Sequence, residues 1–87
     1  MAIVIYPDGN IEDVQWHGER LAELQELVGG YIELVPIDHA LNGVQYTSMV
    51  VNEEGLLHQL DHNPVASEIS DLFIVGPAVL ISRGELK

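Results

Sequence analysis

The segment over residues 24–36, which reads LQELVGGYIELVP, constrains the fold most, because it joins a helical pattern to a strand pattern through two glycines. The apolar positions of the helical part recur at three- and four-residue spacing and are Leu21, Leu24, Leu27 and Val28. This spacing predicts an amphipathic helix over residues 18–28, which ends where Gly29 adopts a left-handed conformation. A strand is predicted over residues 31–37. Because the glycines follow a helix instead of opening one, they indicate a structural turn and not a phosphate-binding loop.

The N-terminal residues predict a β-hairpin. Residues 2–6 are rich in β-branched side chains, which is typical of a strand. Residues 7–10 (PDGN) favour a tight turn, since Pro presets φ and Asp, Gly and Asn tolerate left-handed backbone. Residues 11–16 alternate in polarity and would place Val14 and Trp16 on one face of a second strand.

A second hairpin is predicted in the middle of the chain. Residues 38–43 read as a loop that ends in the hairpin-type turn Asn42-Gly43. Residues 44–52 then form a fourth strand, paired antiparallel with residues 31–37. The side chains expected on one face of the fourth strand are Val44, Tyr46, Ser48 and Val50.

The C-terminal part predicts a short helix and a last strand. Asn63 and Pro64 suit the N-cap and first position of a helix over residues 65–70. Residues 72–75 and 78–81 form a nearly continuous apolar run, which predicts one strand buried on both faces with a kink at Gly76-Pro77.

Together these elements predict one small α+β domain over residues 1–87. It would consist of an N-terminal β-hairpin, one main helix packed on a four- or five-stranded mixed or antiparallel sheet, and a short second helical segment. A chain of this length buries roughly 60–65% of its unfolded surface, which is enough for one core.

The charge balance limits the partners of the protein. Fourteen acidic residues face three basic ones, so the net charge is −11. This charge opposes direct binding to nucleic acid and to anionic membranes, and it favours a basic protein as partner. The simpler interpretation is that the charge keeps a small protein in solution.

The absence of cysteine excludes disulfides, thiolate catalysis and cysteine-type zinc sites, and it fits a protein of the host-cell cytoplasm. The first residues lack the basic segment of a signal peptide. The longest apolar run, over residues 72–81, is far shorter than the roughly 20 residues that a membrane span needs. We expect no membrane association and no cofactor.

One candidate ligand pocket is formed by polar residues of the second half of the chain, namely Asn52, Glu54, His58 and Asn63. Paired acids beside a glycine turn can bind a cation or a ligand rich in hydrogen-bond donors. A calcium loop would need more oxygen ligands at fixed spacing, and that pattern is absent. The alternative interpretation is structural, with both asparagines capping backbone groups.

Metal binding and catalysis find little support in the sequence. His58 and His62 are four residues apart, but no third ligand or HExxH pattern accompanies them. The serines lack a nucleophile-elbow context, and the few cations argue against phosphoryl transfer. We therefore expect no metal site and no catalytic residues.

The acidic residues around the main helix are the candidate partner-binding residues: Glu12, Asp13, Glu19, Glu23 and Glu26. Carboxylates spaced like phosphates could occupy a basic groove, which would make the protein a DNA-mimic inhibitor of a nucleic-acid-binding protein. The competing interpretation is the ordinary solvated face of an amphipathic helix.

Three groups of residues resemble a known family in their order and spacing. They are residues 24–33 (LQELVGGYIE), residues 51–55 (VNEEG) with 63–66 (NPVA), and residues 74–81 (IVGPAVLI). The chain resembles a family of small phage and actinobacterial proteins that is catalogued as a domain of unknown function, number 3846. The resemblance implies a compact α+β domain and an accessory protein of a phage or mobile element. It carries over no catalytic residues.

The sequence thus predicts a non-enzymatic, protein-binding accessory protein that recognises its partner partly through an acidic surface. The alternatives are DNA mimicry and a small-ligand or enzymatic site within residues 52–64. The strand over residues 11–16 could also form an exposed sheet edge that pairs with a second copy.

Overall fold

Five antiparallel strands and two helices follow one another in a computed structural model that describes residues 2–83 and 85. The elements are β1 (Ala2–Ile5), β2 (Ile11–Asp13), α1 (Arg20–Val28), β3 (Ile32–Leu41), β4 (Val44–Asn52), α2 (Pro64–Ser70) and β5 (Ala78–Ser82). The strand order in the sheet is β2-β1-β5-β4-β3, and every neighbouring pair is antiparallel. The predicted α+β class is confirmed.

The two faces of the sheet carry separate apolar cores, because side chains alternate along each strand. The core on the α1 side contains Ala2, Val4, Leu24, Val28, Val50, Val79 and Ile81. The core on the α2 side contains Ile3, Ile5, Val35, Tyr46, Met49, Val51, Ala66, Ile74, Ala78 and Leu80. The central strand β5 contributes to both cores, which explains its unbroken apolar sequence.

The predicted N-terminal hairpin and the helix end are both present. β1 pairs with β2 around the turn at residues 7–10, where Gly9 has a φ of 93° and its N–H donates to the Tyr6 carbonyl at 2.9 Å. α1 ends at Gly29, which has a φ of 83°. On the helix, Leu24 and Val28 are buried, and burial of each stabilises the fold by about 1.5–3 kcal/mol. Leu21, which was predicted on the same stripe, is 48% exposed.

The predicted loop over residues 38–43 is wrong for residues 38–41, because β3 continues to Leu41. The strand pairs with β4 along its length and absorbs a register shift between Pro36 and His39. The turn itself is the predicted one, with positive φ at Asn42 and Gly43. Pairing with β4 therefore stabilises a polar segment as strand even though its own sequence favours a loop.

The bounds of β4 are those predicted. The prediction that Tyr46 and Val50 lie on the same face of this strand is wrong. A second register shift lies between Tyr46 and Ser48. It turns Tyr46 to the α2 side together with Met49, whereas Val50 packs on the α1 side. The side chains of Tyr46 and Val50 thus lie on opposite faces of the sheet.

The predicted strand over residues 72–75 is also wrong. Only Ala78–Ser82 forms the last strand, while Leu72 and Phe73 are exposed and lie outside any strand. Residues 74–76 instead bond to the chain ahead of α2, where Asn63 N–H donates to Ile74 at 2.8 Å and Gly76 N–H donates to Asp61 at 2.7 Å. These bonds leave the preceding apolar side chains outside the sheet.

Candidate functional site

The candidate acidic residues lie near α1 and the β2 edge of the sheet. Glu12 and Asp13 are exposed on β2, and Glu19 and Glu26 are exposed at and on α1. Glu23 is the exception, since its carboxylate accepts hydrogen bonds from two backbone N–H groups. Arg20 adds a positive charge to this region, with its guanidinium 5.4 Å from the centre of the Trp16 ring. Arg20 follows Glu19 directly in the sequence, so this surface carries a cation as well as carboxylates. DNA mimicry stays a prediction.

Glu23 fixes the segment that leads into α1. Its Oε1 accepts the His17 N–H at 2.9 Å and its Oε2 accepts the Gly18 N–H at 2.9 Å. These two backbone hydrogen bonds lower the pKa of Glu23 below its ordinary value, because they stabilise the charged carboxylate. The side chain therefore supports the start of the helix from within its first turn.

Asn52 and Asn63 are buried and engaged in the interior. The Nδ2 of Asn52 donates to the Val28 carbonyl at 3.0 Å, and its Oδ1 accepts the Glu54 N–H at 2.7 Å. Asn63 accepts the Ala66 N–H at 3.1 Å as the N-cap of α2. Its Nδ2 donates at 2.9 Å to the carbonyls of both Ile5 and Gly76. Both amides thus bond to the backbone, as the capping interpretation expects.

The four residues of the candidate ligand pocket do not surround one space. Asn52 and Glu54 line one cavity, while Glu54 and His58 line a neighbouring one. The His58 Nε2 lies 3.6 Å from the Glu54 Oε1, and both side chains are about half exposed. Asn63 is completely buried. The ligand-binding role of this set stays a prediction.

An apolar cleft of about 530 Å³ opens at the β3 side of the sheet, on the face that carries α2. It is lined by Glu33, Val35, Val51, Asn52, Glu53, Glu54, Gly55, Leu56, Leu57, Leu72, Phe73, Ile74 and Val75. The cleft has a buried floor, formed by Val35, Val51 and Ile74, and two exposed walls. The wall residues Leu56, Leu57, Leu72 and Phe73 are 69, 74, 54 and 64% exposed.

The first wall is a turn held by the end of β4. Glu53 N–H donates to the Tyr31 carbonyl at 2.8 Å, and Gly55 N–H donates to the Asn52 carbonyl at 3.2 Å. A Cβ on Gly55 would lie 2.7 Å from the Val75 Cγ2, so only glycine allows this close packing. The turn thus packs closely against Val75 at Gly55, and the two leucines that follow are exposed to solvent.

The second wall is held by Ser67 of α2. The Ser67 Oγ accepts the Ile74 N–H at 2.8 Å and lies 3.2 Å from the His62 Nε2. The His62 ring stacks on the Phe73 ring with 4.7 Å between centroids and 8° between planes. This arrangement fixes the orientation of Phe73 at the edge of the cleft.

The sequence did not reveal these walls. Leu72 and Phe73 were predicted as strand residues, and no cleft was predicted beside Leu56 and Leu57. A signal that could have found them is the residue before each pair: Gly55 precedes Leu56 and Leu57, and Asp71 precedes Leu72 and Phe73. Residues of these types favour turns and loops, which a sheet does not cover.

Within residues 2–83 and 85, no three His, Cys, Asp or Glu side chains come together to hold a metal ion. Neither of the helices in that part of the chain has the length and apolar character to cross a membrane.

Comparison with known proteins gives one match. The family profile described as a domain of unknown function, DUF3846, matches residues 1–86. No curated protein and no solved structure matches the chain. The match covers nearly all of the sequence, including both helices and all five strands. The chain therefore belongs to the DUF3846 family.

Proposed function

We propose that this protein is a non-enzymatic accessory protein that binds another protein through the apolar cleft, with its acidic surface aiding recognition. The observation that carries the proposal is the exposure of Leu56, Leu57 and Phe73 on turns fixed by hydrogen bonds. Contiguous exposed apolar side chains with a polar border are typical of interaction surfaces, because they cost free energy when left in water.

The net charge supports a basic partner. At −11, the protein attracts cationic surfaces over a distance comparable to the Debye length and repels anionic ones. Electrostatic attraction of this kind raises association rates and selects partners, while buried apolar contacts supply most of the affinity. An accessory role for a phage or mobile element, in the host-cell cytoplasm, fits this combination.

A capture experiment with matched variants tests the proposal. Wild-type protein, Leu57→Lys and Leu21→Lys would be immobilised and exposed to host lysate over a salt series. Leu21 is exposed on α1, away from the cleft, so its replacement makes the same chemical change at a control position. We expect a partner that wild type and Leu21→Lys retain and Leu57→Lys loses. Equal capture by all three, or no capture at low salt, contradicts the proposal.

A further inference from the structure

We infer that the apolar cleft receives an amphipathic segment of a partner protein, with aliphatic or aromatic side chains on one face and Lys or Arg beside them. The inference rests on the proposed function and names the chemistry of its partner. It follows from three properties of the cleft, which are its buried floor, its fixed walls and the charge of its rim.

The floor and walls of the cleft favour an occupant that packs apolar side chains against them. Val35, Val51 and Ile74 form the floor and are 6, 6 and 5% exposed. They offer no hydrogen-bonding side chain, so a polar group placed against them would lose water without gaining a partner. A volume of about 530 Å³ lies within the range of pockets that accept organic groups, which is room for a few apolar side chains.

The fixed walls favour a segment of protein over a small molecule. Leu57 and Phe73 belong to two separate segments that line the same cleft, and both are far more exposed than its floor. A small molecule on the floor would leave their outer surfaces in water, whereas a peptide segment can cover both. Because hydrogen bonds already hold both turns, binding orders little additional chain, which limits its entropic cost.

The acidic rim of the cleft favours an occupant with positive charge. Glu33, Glu53 and Glu54 line the cleft and are exposed. Among the residues that the structure describes, the His58 Nε2 lies 3.6 Å from the Glu54 Oε1 beside this rim. Lysine or arginine beside the apolar face of the occupant would therefore meet carboxylates that can accept charge-assisted hydrogen bonds.

A second copy of the chain fits the cleft poorly. Each copy carries −11, so two copies repel each other when they approach. The β2 edge, which was the candidate for pairing, carries the exposed carboxylates of Glu12 and Asp13. Like charges placed across a new strand pair are destabilising. Charge complementarity thus favours a basic partner over self-association.

The test uses a short fluorescein-labelled peptide with leucines at helical spacing and lysines at the other positions. Its binding to the full chain is followed by fluorescence anisotropy. Two further peptides replace all lysines by glutamates or by serines. We expect the lysine peptide to bind at least about tenfold more tightly than the serine peptide, and the glutamate peptide to bind most weakly.

Matched variants separate specific binding from general attraction to an acidic protein. The Glu53→Gln/Glu54→Gln pair at the rim and the Asp8→Asn/Asp38→Asn pair, whose exposed side chains do not line the cleft, each remove two negative charges. We expect the rim pair to weaken binding of the lysine peptide about three- to tenfold and the Asp8/Asp38 pair to change it by less than about twofold. Leu57→Ser should weaken it about tenfold, whereas Leu21→Ser should not. Circular dichroism confirms that each variant is folded.

The outcomes distinguish the two proposals. If the serine or glutamate peptide binds as tightly as the lysine peptide and Leu57→Ser still weakens binding, the basic occupant is wrong while the protein-binding cleft stands. Equal effects of the rim pair and the Asp8/Asp38 pair also overturn the basic occupant, because they show only general attraction to an acidic protein. If Leu57→Ser and Leu21→Ser bind the lysine peptide alike and also capture the same lysate proteins, the cleft is not a binding site and both proposals fail.

Discussion

The side chain of Asn52, at the end of β4, donates a hydrogen bond to the carbonyl of Val28, at the end of α1, across 3.0 Å. The same amide accepts the Glu54 N–H at 2.7 Å, so one buried residue joins the helix end to the turn that forms the first wall of the cleft. The Gly-Gly turn is adapted to this contact, since a Cβ on Gly30 would lie 3.1 Å from the Asn52 Nδ2.

Asn52→Ala should destabilise the protein by about 1–3 kcal/mol. The substitution leaves the Val28 carbonyl and the Glu54 N–H without their present partner, and buried unpaired polar groups cost about that much. Urea denaturation followed by circular dichroism measures the change. Gln15→Ala, at an exposed amide, is the control and should change stability by less than about 0.5 kcal/mol. Equal effects of the two substitutions would show that the Asn52 bonds contribute no net stability.

Asn63→Asp should destabilise the protein more than Asn63→Ala at pH 7. Aspartate keeps the cap on the Ala66 N–H but places a buried carboxylate against the Ile5 and Gly76 carbonyls, which need a donor. This environment favours the protonated acid and raises its pKa in the folded state, so the aspartate variant should regain stability as the pH falls. Unfolding measured from pH 7 to pH 4 should show that regain, and Asn63→Ala should not share it.

Glu23 should make stability depend on pH. Its folded-state pKa is lowered from 4.5, chiefly by the backbone hydrogen bonds from His17 and Gly18. Its contribution is therefore complete above the unfolded value and is lost as the pH falls through the folded value. Glu23→Gln should be less stable than wild type at pH 7, and the difference should shrink as the pH falls below 4.5.

Urea midpoints at several pH values measure this difference between wild type and Glu23→Gln. Glu26→Gln, on the exposed face of the same helix, is the matched control for removal of one charge. A gap between Glu23→Gln and wild type that stays constant from pH 7 to pH 3.5 would contradict the assigned role of the carboxylate.

Leu57→Ser should leave stability within about 0.5 kcal/mol of wild type, because the side chain is 74% exposed. Val51→Ala, on the floor of the cleft, should cost about 1–2 kcal/mol because it removes buried apolar atoms. Thermal unfolding distinguishes the two. A large loss for Leu57→Ser would mean that the exposed wall stabilises the fold, and its exposure would then give no support to a binding role.

Local chemistry made several features predictable. The cap at Asn63, the turn at Asn42-Gly43 and the helix end at Gly29 each depend on residues adjacent in sequence, and the structure has all three. The central position of β5 was likewise readable from its apolar run, since a strand covered on both faces has no polar positions.

Tertiary contacts decided the features that the sequence missed. His39 and Ala40 have low strand preference, yet they pair with β4 because Tyr46 and Gln45 lie opposite them. Phe73 belongs to an apolar run, yet its ring stacks on that of His62, which lies well before it in the sequence. Neither effect has a local signal. The cleft could not be predicted from the sequence for the same reason. Apolar residues are assigned to the interior of a protein unless their surroundings are known.

The Asn42-Gly43 turn has a practical consequence for labelling. About seven residues of extended strand separate it from Val35 in the cleft, which is roughly 23 Å at 3.3 Å per residue. Exposed loop tips with small or polar residues tolerate insertions well. A short tag or a cysteine for a spin label placed in this turn would attach the protein to a surface or report its tumbling, while the cleft keeps its full access to solution.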